Sequence, residues 1–75
     1  MLEKKIRLNA ANDVREFVKE AAKCEFDVDI FYNRVIIDAK SLLGVMSMDL
    51  TKPLTVKYSP EDRFFDKVLE KYAIA

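Results

Sequence analysis

Residues 26–38 read Phe26-Asp27-Val28-Asp29-Ile30-Phe31-Tyr32-Asn33-Arg34-Val35-Ile36-Ile37-Asp38, and this stretch decides the fold. Phe26, Val28, Ile30 and Tyr32 recur at every second position, with Asp27, Asp29 and Phe31 between them. That is the period of a strand with one buried face, not of a helix. Asn33-Arg34 then makes a two-residue turn into Val35–Asp38, so the stretch is predicted to be a β-hairpin, although Arg34 suits a type I′ turn less well than glycine would.

Toward the C-terminus, Ser41 precedes Leu42-Leu43-Gly44-Val45-Met46 and is a good N-cap for a short helix. Thr51-Lys52-Pro53 breaks that pattern, and Leu54, Val56 and Tyr58 alternate with Thr55 and Lys57 as another strand. Ser59-Pro60-Glu61-Asp62 combines an N-cap serine, a proline at the first helical position and acids in the first turn. It opens a predicted helix with Phe64, Phe65, Val68, Leu69 and Tyr72 on its inner side.

Toward the N-terminus, Leu2–Leu8 alternates, with Leu2, Ile6 and Leu8 on one face and Glu3, Lys5 and Arg7 on the other. Asn9–Asn12 is a connection. Asp13 and Glu16 have the spacing of a capping box, with Asp13 at the N-cap and Glu16 at the third helical position. The helix so opened carries Val14, Phe17, Val18, Ala21 and Cys24 as a buried stripe, with Glu16/Lys19 and Glu20/Lys23 on its wet face and an end near Cys24 or Glu25. The order is strand, helix, strand, strand, helix, strand, helix. Four amphipathic strands and helices with one apolar stripe each imply one sheet covered on one face, an α+β two-layer sandwich.

Composition narrows the chemistry. The chain has 75 residues, which is one domain's worth (1–75), and 51% of them are hydrophobic. Thirteen basic residues balance thirteen acidic ones, so no global field draws the chain to nucleic acid or to an anionic membrane. There is no histidine, which removes the usual general base and the commonest metal ligand. The single cysteine, Cys24, can close no disulfide within the chain and make no Cys-rich zinc site. Met1 leads into Glu3, Lys4 and Lys5 without a signal-peptide pattern, so a reducing, cytoplasmic setting is expected, with no cofactor and no metal.

The element order, together with Asp38-Ala39-Lys40-Ser41-Leu42-Leu43-Gly44-Val45-Met46-Ser47 at its centre, resembles HPr, the small phosphocarrier of the bacterial phosphoenolpyruvate-dependent sugar phosphotransferase system (PTS). Family members carry Ala-Lys-Ser, an apolar pair and Gly-Val-Met-Ser at this place. Phe17-Val18, Lys23, Val28-Asp29-Ile30 and Leu54-Thr55-Val56 fall at family-like positions, and the resemblance runs from Met1 to about Tyr72. It implies the HPr fold: an open-faced sandwich, βαββαβα, with antiparallel strand order 1-4-2-3 and three helices on one face.

The departures matter as much. In the family, the loop after the first strand carries a histidine that accepts phosphate at the N-terminus of the first helix, between a glycine and an Ala-Arg-Pro run. Here Leu8-Asn9-Ala10-Ala11-Asn12-Asp13-Val14-Arg15-Glu16 replaces it, shorter by about five residues and without glycine, histidine or proline. Arg15 falls inside the predicted helix and inherits no role. A second gap falls near Pro53, where the family has a glycine-containing turn. No catalytic residue is therefore assigned. Cys24 lies at the wrong end of the first helix to be an activated nucleophile. Asp13 is read as a cap, although its carboxylate stands where a phosphorylated group would.

Ser41 matches the serine that HPr kinase phosphorylates in some bacteria, so it is the phosphorylation candidate, with N-capping as its structural role. Leu42, Leu43 and Met46 match the apolar pad that the family presents to protein partners, and a helix of so few residues cannot bury every side. The expectation is a non-enzymatic, HPr-like binding or regulatory protein of the PTS, with PTS components or HPr kinase as partners and no competence as a histidine phosphocarrier. Its rival is an interaction module that kept the fold and pad for an unrelated partner or a second copy of itself.

Overall fold

A computed structural model of the chain describes residues 2–59 and 63–74, the side chain of Arg63 excepted. The elements are β1 (Leu2–Ile6), α1 (Ala11–Ala22), β2 (Asp29–Tyr32), β3 (Val35–Asp38), α2 (Leu42–Met46), β4 (Leu54–Tyr58) and α3 (Arg63–Glu70). The strands form one sheet in the order β1-β4-β2-β3, every neighbouring pair antiparallel, with the helices on one face. Fold class and element order are those expected from the sequence, and the strand order is the one the resemblance implies.

The hairpin register pairs Tyr32 with Val35 and Ile30 with Ile37. Its turn differs from a type I′ turn in one respect: among the described residues Asn33 is the only non-glycine with positive φ (54°), so Arg34 is spared the left-handed conformation that a long side chain disfavours. Ile6, Ile30, Leu54 and Val56 from the sheet meet Val14, Phe17 and Ala21 of α1, Val45 of α2, and Phe65 and Leu69 of α3 in one core. Phe65 sits at its aromatic centre, with ring centroids 6.2 Å from Phe17, 6.4 Å from Phe26 and 5.6 Å from Tyr58. The segment after α3 turns back along β1: Arg7 N–H donates to the Tyr72 carbonyl (2.9 Å) and Ile74 N–H to the Lys5 carbonyl (3.1 Å), bridging Ile6 and Ala73.

Several local expectations are corrected. α1 begins at Ala11, not at Asp13, so Ala10 is the N-cap, with no side chain that can cap. Asp13 lies at the third helical position and accepts the Asn9 N–H on Oδ2 (3.0 Å), reaching back from inside the helix to the residue before the N-cap. Glu16 consequently falls in the second turn and pairs with Lys71 (2.7 Å), not with Lys19. The helix ends at Ala22, capped by Lys23, somewhat before Cys24. Leu2, at the rim of the sheet, is exposed. Phe64 is 60% exposed because it lies about 100° around the helix from the Phe65–Val68–Leu69 stripe. The Pro60–Asp62 start signal of α3 lies outside the described residues.

Candidate partner-docking site

The short helix α2 is built by its sequence from both ends. Ser41 enters it with extended backbone (φ −97°, ψ 108°), and its Oγ accepts the Gly44 N–H at 3.1 Å, satisfying one of the donors that every helix start leaves open. At the far end Ser47 Oγ donates to the Gly44 carbonyl (2.6 Å). Gly44 faces β3, and a Cβ there would stand 2.6 Å from Cγ2 of Ile37. Glycine at this position lets α2 lie directly on the sheet with Val45 fully buried. The consequence is that the remaining apolar residues of α2 point outward. Leu43 is 85% exposed, Leu42 and Met46 are exposed beside it, and no charged residue falls between Leu42 and Ser47.

Ser41 is exposed at the rim of this apolar patch. Beside it, Lys40 is tied down twice: its N–H donates to Asp38 Oδ1 (2.9 Å) and its Nζ to the Cys24 carbonyl (2.9 Å). The second contact ties the C-terminal end of α1 to the approach to α2. Cys24 itself is buried, with Sγ against the Glu20 carbonyl (3.6 Å). It lies at the end of α1 remote from the helix N-terminus and is 7% exposed.

Around the N-terminus of α1, Arg7, Leu8, Asn9, Leu50 and Thr51 line a shallow pocket of about 290 Å³. Arg7 reaches across it and donates from Nη2 to the Thr51 carbonyl (3.1 Å). The Thr51 hydroxyl donates to Asp49 Oδ1 (2.5 Å), and the Thr51 N–H donates to the same oxygen (3.0 Å). These bonds hold the Asp49 carboxyl below its ordinary pKa. Arg15 is occupied with Asn12 Oδ1 (3.2 Å). The hydroxyl here is thus bound to a carboxylate that is itself committed to holding the turn, and the pocket offers no thiol or imidazole to carry a phosphoryl group. Sequence reasoning did not anticipate the Arg7–Thr51 contact, which spans 44 residues and leaves no local signal. No group of acidic, cysteine or histidine residues able to hold a metal occurs among the described residues, and no described helix is long and apolar enough to cross a membrane.

Comparison with known proteins agrees with this arrangement. The chain is 32% identical to the protein named phosphocarrier protein HPr from Buchnera aphidicola subsp. Schizaphis graminum, over 93% of this chain and 88% of that one. Its structure is similar to the crystal structure of a phosphocarrier protein HPr from Bacillus anthracis str. Ames, with a TM-score of 0.69 at 20% identity, covering 95% of each chain. No family model matches the chain.

Proposed function

The chain belongs to the HPr family, and from that premise we propose that it works as a docking or regulatory member of the PTS network and not as a histidine phosphocarrier. The observation that carries this reading is the pairing of an exposed, uncharged Leu42–Leu43–Met46 pad with a sequence that contains no histidine. A phosphocarrier needs a nucleophile whose phospho-adduct is labile enough to pass on. An apolar pad needs only a complementary surface. On this reading the protein is not an enzyme, works in the cytoplasm, and takes PTS proteins or HPr kinase as partners. Ser41 is then the residue that an HPr kinase would modify; ATP-derived phosphate that vanishes in Ser41→Ala would support this, and phosphate elsewhere would count against it.

The test has two arms. Incubation with phosphoenolpyruvate and the general PTS kinase should leave the protein unlabelled; stoichiometric, acid-labile label would overturn the reading. Capture of PTS proteins by the wild type should be lost with Leu43→Asp, because a desolvated aspartate at the centre of an apolar contact costs about two or more orders of magnitude in affinity. The substitution should leave the fold intact, since Leu43 makes little of the core. Capture of a different, reproducible partner through the same pad would favour an interaction module outside the PTS.

A further inference from the structure

The two edges of the sheet are treated differently. The C-terminal half of β1 is covered on its outer side by residues 72–74, and the strand carries an exposed Lys5, both ordinary ways of blunting an edge. β3 has neither protection. Among the described residues no strand pairs with its outer side, where the Ser41 N–H takes the Asp38 carbonyl, and Val35 and Ile36 are 54% and 67% exposed.

The charges across the open face of the sheet point the same way. One cross-strand row runs Glu3, Lys57, Asp29, Asp38 through β1, β4, β2 and β3. Signs alternate as far as Asp29, and then two carboxylates stand directly opposite each other, an arrangement that destabilises a sheet. The row ends at Asp38 with no cation beyond it. In the turn before the other end of the strand, Arg34 makes no ion pair within the described chain.

We propose that β3 is a self-association edge: two copies of the chain pair antiparallel through it, about a twofold axis at Ile36, with Arg34 of each copy against Asp38 of the other.

Hydrogen-bond alternation fixes which registers are open. The two-residue turn makes Tyr32 and Val35 a mutually bonded pair, so Ile37 bonds inward to Ile30 as well, and the main-chain groups of Ile36 point to the free edge with those of Arg34 and Asp38 on either side. Residues of this set must therefore face one another. Placing Ile36 opposite Ile36 brings Arg34 opposite Asp38 twice, closes the dimer on itself, and extends the charge row with the cation that it lacks. Ile36 and Asp38 project to the helix-free face, where Ile36 already lines a shallow pocket with Phe31 and Lys57, and Arg34 stands in the turn at the end of that row. A slip of two residues sets a charge against an isoleucine, and a slip of four sets arginine against arginine or aspartate against aspartate. Asp38 uses Oδ1 for the Lys40 N–H and its carbonyl for the Ser41 N–H, leaving Oδ2 and its own N–H available.

A single pair of short strands buries well under the roughly 1,200 Å² of a standard interface, so the dimer is weak and forms at high protein concentration. Sedimentation equilibrium at low ionic strength, where surface charges are least screened, is the measurement. Arg34→Glu and Asp38→Arg should each weaken self-association about tenfold, because each reverses two ion pairs in the symmetric dimer. An equimolar mixture of the two variants should recover it: the glutamate introduced at position 34 then faces the arginine introduced at 38, and a native Arg34–Asp38 pair survives on the other side. Ile36→Lys should leave a monomer. Both charge variants and Ile36→Lys leave Leu42, Leu43 and Met46 untouched, so failure here is distinct from failure of the docking pad. If Asp38→Arg disturbs the turn, seen in its far-UV spectrum, Arg34→Glu and Ile36→Lys carry the test. A wild type that stays monomeric at millimolar concentration, or an association indifferent to these substitutions, overturns the proposal. So does pairing in which the mixture is no stronger than its parts.

Discussion

Gly44 shows how a single residue sets the height of an element. Replacing glycine by alanine inside a helix ordinarily stabilises it by about 1 kcal/mol. Here the new methyl would stand 2.6 Å from Ile37 Cγ2, and a γ-methyl on a β-branched residue of a strand cannot swing away as the end of a long side chain can. Overpacking of this kind costs about 1–3 kcal/mol and outweighs the propensity gain. Gly44→Ala should therefore lower the thermal midpoint by a few degrees, when an exposed helical glycine would raise it. Calorimetry decides between the two signs. Ser41→Ala removes the acceptor for the Gly44 N–H and should cost about 1 kcal/mol by urea unfolding, as the loss of an N-cap does. A smaller effect in Ser41→Gly would identify the cost with the cap and not with the fold of the pad.

At the scale of elements, the stripe of α3 gives a contrast between neighbours. Phe65→Asp places a carboxylate among Phe17, Phe26 and Tyr58 and should unfold the protein, at a cost of roughly 4 kcal/mol or more. Phe64→Asp, one residue away and 60% exposed, should leave a cooperative unfolding transition. Circular dichroism on the pair checks the assignment of faces. The sequence places both phenylalanines on one helix, and the i, i+3, i+4, i+7 spacing of Phe65, Val68, Leu69 and Tyr72 excludes Phe64 from the stripe; grouping the two together gives adjacency more weight than period. The start of α1 differs from its expected place for another reason. An aspartate reaching the chain from the third helical position and an aspartate capping from outside leave the same local signature, and only the backbone separates them. The hairpin and α2 were legible because their signals are local: alternation, a two-residue turn and a serine cap. The outward pad of α2 was legible through its resemblance to a family. That β3 is an edge strand follows from the strand order the resemblance implies; that β1 gains cover while β3 stays bare does not, because residues 72–74 reach β1 through contacts distant in sequence.

For the molecule as a whole, two tyrosines link the helices to the rest of the fold and make its stability depend on alkaline pH. Tyr58, on the central strand β4, donates its hydroxyl to Asp66 of α3. Burial, then that bond and the negative charge of Asp66, push its phenol up to about 12. Tyr72 follows α3 and is buried near the acids of α1; burial first, and then the carboxylates of Glu16, Asp13 and Glu20, raise it to about 12 as well. An unfolded tyrosine ionises near 10. Between 10 and 12 the unfolded chain has released phenolic protons that the folded chain still holds, so fewer protons are bound in the unfolded state and stability falls as pH rises. The contribution is fully present below pH 10 and is lost through that window. Lys71, raised by its bond to Glu16, acts in the same direction. On the acid side Glu16 and Asp49 are both lowered, so their contributions are present above the ordinary carboxylate range and lost as pH falls through their depressed values. Both groups are exposed to solvent, and water and salt screen them. The profile of urea midpoint against pH should thus be shallow toward acid and steep above pH 10. Tyr58→Phe keeps the ring packed on Phe65 but removes the phenol, so it should lower the midpoint at neutral pH and flatten the alkaline limb. A limb of unchanged slope in Tyr58→Phe, or tyrosinate absorbance that rises near pH 10 while the chain is still folded, would show that the phenols are not what drives it.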